Sequence, residues 1–185
     1  MSNITVASSV GSAILALASF AFADGLDGAN AVPSHDVSFL TGDSWEQDGQ
    51  IVRLFGVQAC LRNTFYTDHA GQKQDCGSVA ASMLAALIRD TRPTCKTVAR
   101  IMTSAASNAT LLAVCSADVG GARLDLGGVL IHQGFAFAAL EQNGRPVYPP
   151  YFLAETVAAN SAKGLWSYPD LPHPNIALRP GAEKQ

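Results

Sequence analysis

The chain has no G-x-S-x-G elbow, no Walker loop and no dinucleotide fingerprint, so the common hydrolase, nucleotide and dinucleotide signatures are missing. It has no C-x-x-C, and its four cysteines are spaced too widely for a zinc ribbon, which sets aside the usual thiol-redox and structural-zinc readings. His35, His69, His132 and His173 form no i, i+4 pair that would suggest a metal helix. Charge is scarce, at 15% of residues, and what there is leans acidic: 12 Lys and Arg against 15 Asp and Glu, a formal net of −3. Nucleic-acid affinity comes mostly from Lys and Arg neutralising phosphates, so the average charge carries no such footprint. No internal repeat and no domain boundary is visible.

What is present suits one domain with a substantial core: 185 residues, 48% of them hydrophobic. An apolar run from Val10 to Ala23 closes on Ala21-Phe22-Ala23, which reads as an export signal over residues 1–23 cleaved before Asp24. The run is shorter than a bilayer span, which counts against a transmembrane anchor and leaves no stable span after cleavage. No Lys or Arg precedes it, so either the amino terminus supplies the charge or the true start codon lies elsewhere. A periplasmic or secreted location follows, and with it disulfides. Cys60, Cys76, Cys95 and Cys115 allow three connectivities, and nearness in sequence favours Cys60–Cys76 and Cys95–Cys115.

Residues 24–35 read as a flexible lead-in and residues 168–185 as a loose Pro-rich tail. Between them, strands are expected at Val37–Leu40, Trp45–Gln47 and Gln50–Val57, with Asp48-Gly49 as a hairpin turn. Residues 62–76 read as a loop. Helical spacing predicts a helix from Ser78, as N-cap, to about Arg89, ahead of Pro93. Further strands are expected at Cys95–Thr103 and Thr110–Ser116, joined by a turn at 104–108. Two more helices are expected at Leu124–Gln133 and 151–163, with Gly127-Gly128 marking close backbone packing in the first. Trp45 and Trp166 read as core-edge anchors. Tyr148, Tyr151 and Phe152 read as helix-start packing, with stacking on sugars or bases as the functional alternative. This order fits an α+β, mainly β, closed barrel with about three helices packed outside.

The segment Thr41-Gly42-Asp43-Ser44 and then Ile51-Val52-Arg53-Leu54-Phe55-Gly56-Val57-Gln58-Ala59-Cys60-Leu61 carries a likeness. It resembles the active-site segment of the staphylococcal-nuclease (thermonuclease) family, D-G-D-T, a short hairpin, then R-L-x-G-I-D-A-P-E. Thr67-Asp68-His69-Ala70-Gly71 with Cys76-Gly77, Leu124-Asp125-Leu126 with Leu130 to Ala136, and Gly164-Leu165-Trp166 extend it over roughly residues 37–167. The resemblance implies a nuclease-like domain at 36–167 built as a five-stranded OB-fold Greek-key barrel.

The resemblance also shows what is gone. Asp43 matches the first calcium aspartate and Arg53 the first phosphate-gripping arginine. Gln58 stands in place of the second aspartate, Leu61 in place of the glutamate that handles water, and Thr110 in place of the second arginine, two residues before Leu112-Ala113. Cys60 takes the family's Pro position. Calcium wants hard anionic oxygens, water needs a base, and the phosphorane needs cations, and three of these charges are absent. The resemblance therefore implies a vestigial site, with calcium bound only if nuclease activity remains. Asp43 and Arg53 are then either a leftover metal and phosphate pair or a buried structural ion pair. Glu46, Asp48 and Arg62 are the nearby charges that could substitute; Asp48 reads as lying in the turn away from the barrel mouth, and Arg62 could enter only by a one-residue slip in register. Two functions compete: an exported binding or accessory module without catalysis, and a weak calcium-dependent phosphodiesterase with a rearranged site. Family members of this exported kind occur with succinoglycan-type exopolysaccharide genes, which permits polysaccharide or its biosynthetic proteins as partners, ahead of nucleic acid.

Overall fold

The computed structural model describes residues 29–32, 36–102 and 109–178. The export signal, the 104–108 turn and the last seven residues lie outside these. The chain is α+β and mostly sheet. Its main sheet has seven strands: β1 (Ala29–Ala31), β2 (Val37–Thr41), β3 (Ser44–Gln47), β4 (Gln50–Leu54), and, later in the chain, β8 to β10. Two small pairings complete the β-structure. In one, β5 (Val57–Gln58) pairs with β11 (Phe137–Ala138), and in the other β6 (Phe65–Thr67) pairs with β7 (Lys73–Asp75). The strands β8 (Thr94–Ile101), β9 (Thr110–Val119) and β10 (Ala122–Asp125) follow the first helix. The helices are α1 (Cys76–Thr91), α2 (Leu126–His132), α3 (Pro149–Asn160) and α4 (Pro174–Ala177), with a 3-10 turn at Gly164–Ser167.

The order across the sheet is β1-β8-β9-β4-β3-β2, with β10 also on β9. All of these pairings are antiparallel except β4 with β9, which is parallel. The sheet is open rather than a closed five-stranded barrel. Closure would join β2 to β8, but β1 occupies the outer edge of β8 at Thr94–Lys96. Helix α1 packs against β2, and Gly42 lies so tightly on it that a Cβ there would lie 2.5 Å from Ala80 Cβ. The predicted lead-in is thus partly a strand, because Ala29–Ala31 completes that edge.

Local chemistry explains the other elements. Asp48 and Gly49 both hold positive φ (52° and 71°), as the two-residue turn between β3 and β4 requires. Gly120 and Gly121 do the same between β9 and β10, so Leu124 and Asp125 belong to a hairpin strand rather than to the helix expected to start at Leu124. Helix α1 begins at Cys76 and its N-cap is Asp75, not Ser78: the Asp75 carboxylate accepts from the Ser78 N–H at 2.8 Å. Asp125 caps α2 in the same way and also accepts from the Tyr151 hydroxyl at 2.6 Å. Burial, reinforced by that carboxylate, pushes the Tyr151 phenol far up. Gly127 is required here, since a Cβ would meet the Tyr151 oxygen at 2.5 Å.

The core has two parts. Trp45, Leu54, Val57, Leu84, Ile88, Leu126, Leu130 and Ile131 fill the space between sheet and helices, each 2% exposed or less. Each such side chain contributes on the order of 1.5–3 kcal/mol by burial. A smaller cluster joins Cys60, Cys76, Tyr66, Ala80, Phe137 and Leu165, with Trp166, Tyr168 and Leu171 against it. Among the described residues no helix is long and apolar enough to cross a membrane.

Residues 168–178 are not a loose tail but fold back onto this second cluster. Tyr168 stacks on Tyr66 at 4.4 Å, Asp170 accepts from the Thr67 N–H, and Pro174 is buried. Glu155, itself 7% exposed, accepts from the Ala138 N–H and pairs with His173 at 3.1 Å. The 62–76 segment is likewise an ordered hairpin. Asp68 turns its tip through the N–H groups of Ala70 and Gln72, and Asp75 ties its base to Asn63 and Ser78.

Three carboxylates hold this region and all lie below the usual range. Asp68 is lowered chiefly by the Gln72 N–H and Asp170 by the Thr67 N–H. For Asp75, burial pushes upward but is outweighed by the Ser78 and Asn63 N–H groups. Depressed carboxylates contribute stability that is full above their unfolded values, about 4, and that fades as pH falls through the folded ones. The melting temperature should therefore be flat from neutral pH down to about 5 and fall below about 4. Amide exchange in 62–75 should quicken before that in β8 and β9. Uniform loss across the sheet would contradict this assignment.

Candidate functional site

A cleft of about 490 Å³ opens where the ends of β2, β3, β4 and β5 converge. Its lining includes Asp43, Arg53, Gln58, Leu61, Arg62 and Leu178. Asp43 ends the tight turn after β2, where a register shift between Phe39 and Thr41 aims it inward. Arg53 lies opposite Ser44 in the β3–β4 ladder, which sets it beside that turn.

Asp43 is 3% exposed and fully engaged. Its Oδ2 accepts from Arg53 Nε at 3.0 Å and the Ala59 N–H at 3.3 Å and lies 2.9 Å from Arg53 Nη2 in an ion pair, and its Oδ1 accepts from the Thr41 hydroxyl. Arg53 Nη2 also donates to Gln58 Oε1 at 3.1 Å, and Gln58 Nε2 donates to the Ala59 carbonyl at 2.9 Å. The guanidinium thus bridges the two side chains that the nuclease resemblance assigns to calcium. The Arg53 cation already sits between Asp43 and Gln58, held to Asp43 Oδ2 by one charge-assisted hydrogen bond and the ion pair beside it.

Leu61 lines the cleft without a polar atom, and Asp43 is the single carboxylate among the described residues of the lining. Glu46 is on the exposed face of β3 and Asp48 is in the β3–β4 turn, so neither lines it. Thr110 starts β9 opposite Ile51, two rungs from the Arg53–Leu112 pair, and is not in the lining either. Arg62 does line the cleft and needs no slip in register, because the 59–62 backbone carries it there directly. It donates to the Ser78 hydroxyl at 3.1 Å and the Leu40 carbonyl at 3.2 Å. Leu178 was not foreseen, since nothing in a polar, Pro-rich segment signals a return to the sheet. Among the described residues no three His, Cys, Asp or Glu side chains gather as a metal centre.

The disulfides are Cys60–Cys76, with Cα atoms 5.6 Å apart, and Cys95–Cys115, directly opposed on β8 and β9. The first fastens the segment carrying Leu61 to the start of α1. There Gly77 allows backbone contact, since a Cβ would lie 2.6 Å from Arg62 N.

Truncating Arg53 to Ala strands the Asp43 charge. We expect a loss on the order of 2 kcal/mol in urea unfolding, below the figure for a fully buried pair because Arg53 is 40% exposed and water can enter. Adding Asp43→Asn should recover most of it. An unchanged midpoint in Arg53→Ala would mean that the pair holds nothing together.

Models of known protein families find no match to this chain, and no curated protein matches it.

Proposed function

We propose that this is a nuclease-like domain of the OB type that binds rather than cuts, acting outside the cytoplasm. The strand order β8-β9-β4-β3-β2 with one parallel pair, β4–β9, supports the OB reading even though the sheet is open. Two disulfides fit an oxidising compartment, periplasmic or extracellular, and an export signal at 1–23 would deliver the chain there.

The observation that carries the proposal is the Arg53 guanidinium held between Asp43 and Gln58, beside the apolar Leu61. A catalytic calcium would have to displace that cation and then find its remaining oxygens among neutral groups. Among the described residues Asp43 is the one carboxylate lining this cleft, and it is already engaged by Arg53 rather than placed to take a proton from water. The nuclease resemblance then describes a pseudoenzyme, and it permits an accessory role in succinoglycan-type exopolysaccharide production. The alternative, a weak calcium-dependent phosphodiesterase, draws support from Arg62, a second cation in the cleft. Incubation of the purified protein with single-stranded DNA and calcium separates the two. We expect no digestion above background. Digestion by the parent that vanishes in Asp43→Ala would overturn the proposal in favour of the enzyme.

A further inference from the structure

Beside the cleft of Asp43 and Arg53 lies a second, of about 850 Å³, and the two share Gln58 and Leu178 as wall residues. Together they form one groove whose ends differ in chemistry.

The first end carries an excess of positive charge. Asp43 is neutralised by Arg53, while the hydrogen bonds of Arg62 go to neutral groups, the Ser78 hydroxyl and the Leu40 carbonyl. Asp75 is near enough to feel Arg62, but its carboxylate is already held by the Ser78 and Asn63 N–H groups. A guanidinium has five N–H donors, so Arg62 retains donors facing outward, and Arg53 Nη1 makes no hydrogen bond among the described residues. This is a place for a single anionic group.

The second end is lined by carboxamides. Gln58, Gln142 and Asn175 face it, with Glu141 beside them. Asn175 gives one N–H to the Ala138 carbonyl and Gln58 one to the Ala59 carbonyl, which leaves each a further donor. Gln142 makes no hydrogen bond among the described residues, whereas Asn143 is occupied within its own turn. Carboxamides offer a donor and an acceptor side by side, which matches vicinal hydroxyls.

Among the described residues no aromatic side chain lines either part, so neither bases nor sugar rings are held by stacking and recognition falls to the charged and carboxamide groups. A phosphodiester chain would also bring its evenly spaced charges past Glu141. An acidic glycan with widely spaced carboxylates can set one carboxylate at Arg62 and present hydroxyls rather than charge to Glu141 and the carboxamides. We infer that the groove binds an anionic oligosaccharide, its carboxylate at Arg62 and Arg53 Nη1 and its hydroxyls along Gln58, Gln142 and Asn175. This rests on the binding reading given above and names its ligand class.

The test is calorimetric titration of the exported protein, without calcium. The probes are a short hyaluronan oligosaccharide, with a carboxylate on alternate sugars, its methyl ester, and a thymidine oligonucleotide. Hyaluronan should bind saturably, and the ester should bind at least about tenfold more weakly, the usual scale for losing a hydrogen bond to a charged group. Arg62→Gln should lose as much. Leu178→Asp, at the junction of the two parts, should abolish binding. Both residues are exposed, and circular dichroism of the variants would verify their folding. Equal binding of the ester, an indifferent Arg62→Gln, tighter binding of the oligonucleotide, or no saturable hyaluronan binding would each overturn the inference. If the protein neither cleaves DNA nor binds hyaluronan, the ligand class falls while the absence of nuclease activity stands. Calcium-dependent cleavage would sink the function itself.

Discussion

The triple variant Gln58→Asp, Leu61→Glu, Thr110→Arg will digest single-stranded DNA in calcium at a rate at least about 10³ above the parent. A general base alone is worth roughly 10²–10⁴ and a transition-state donor about 10²–10³, and the two do not combine simply. The geometry favours the exchange. An aspartate at 58, one methylene shorter than Gln58, would give up the Oε1 contact that holds Arg53 and would bring a second anionic oxygen donor for calcium. A glutamate at 61 would enter the cleft that Leu61 now lines. Position 110 is outside that lining, yet Ile51 pairs with Thr110 and Arg53 with Leu112, so Thr110 shares the sheet face of Arg53. Two residues along a strand is about 6.6 Å, a distance an arginine can span. A folded but silent triple variant would mean that the alignment with the nuclease segment is wrong.

Reduction of both disulfides will cost more stability than any single substitution. The pairs close 16 and 20 residues of sequence, worth on the order of 3 kcal/mol each in the chain-entropy account. Small domains hold about 5–15 kcal/mol in total, so reduction removes a large share of it. Urea unfolding with and without a phosphine reductant should show a much lower midpoint in the reduced protein. The pairs should also differ in effect. Replacing Cys60 and Cys76 by Ala should loosen Leu61, Arg62 and the β6–β7 hairpin, while replacing Cys95 and Cys115 should act on the β8–β9 ladder. A reduced protein as stable as the oxidised one would refute this.

How far the sequence could be read varied with how local each signal was. Asp48-Gly49, the spacing of Leu84 and Ile88, and Gly127-Gly128 carry their structural reasons within a few residues, and each was legible. The N-cap was misassigned to Ser78 because Asp75 precedes a cysteine inside what looked like a loop. The Gly120-Gly121 hairpin was overlooked although its signal was as plain as Asp48-Gly49, since Asp125 drew the helix start two residues early. Closure of the sheet depends on which chain reaches the free edge of β8, and nothing in Ala29–Ala31 announces a strand. The fold-back of 168–178 rests on Tyr168 and Asp170 meeting Tyr66 and Thr67, partners about 100 residues away in sequence that no local signal announces. At the site, Asp43, Arg53, Gln58 and Leu61 lie within 19 residues of one another in sequence, and all four line one cleft. What the sequence could not convey was that Arg53 lies between Asp43 and Gln58, or that Arg62 reaches the same space.

The decisive measurement is calorimetric titration of the parent protein with calcium, set beside Asp43→Ala. With Arg53 seated between Asp43 and Gln58, no saturable binding should appear at millimolar concentrations, and the two titrations should overlay. Stoichiometric calcium uptake by the parent, absent in Asp43→Ala, would contradict the account.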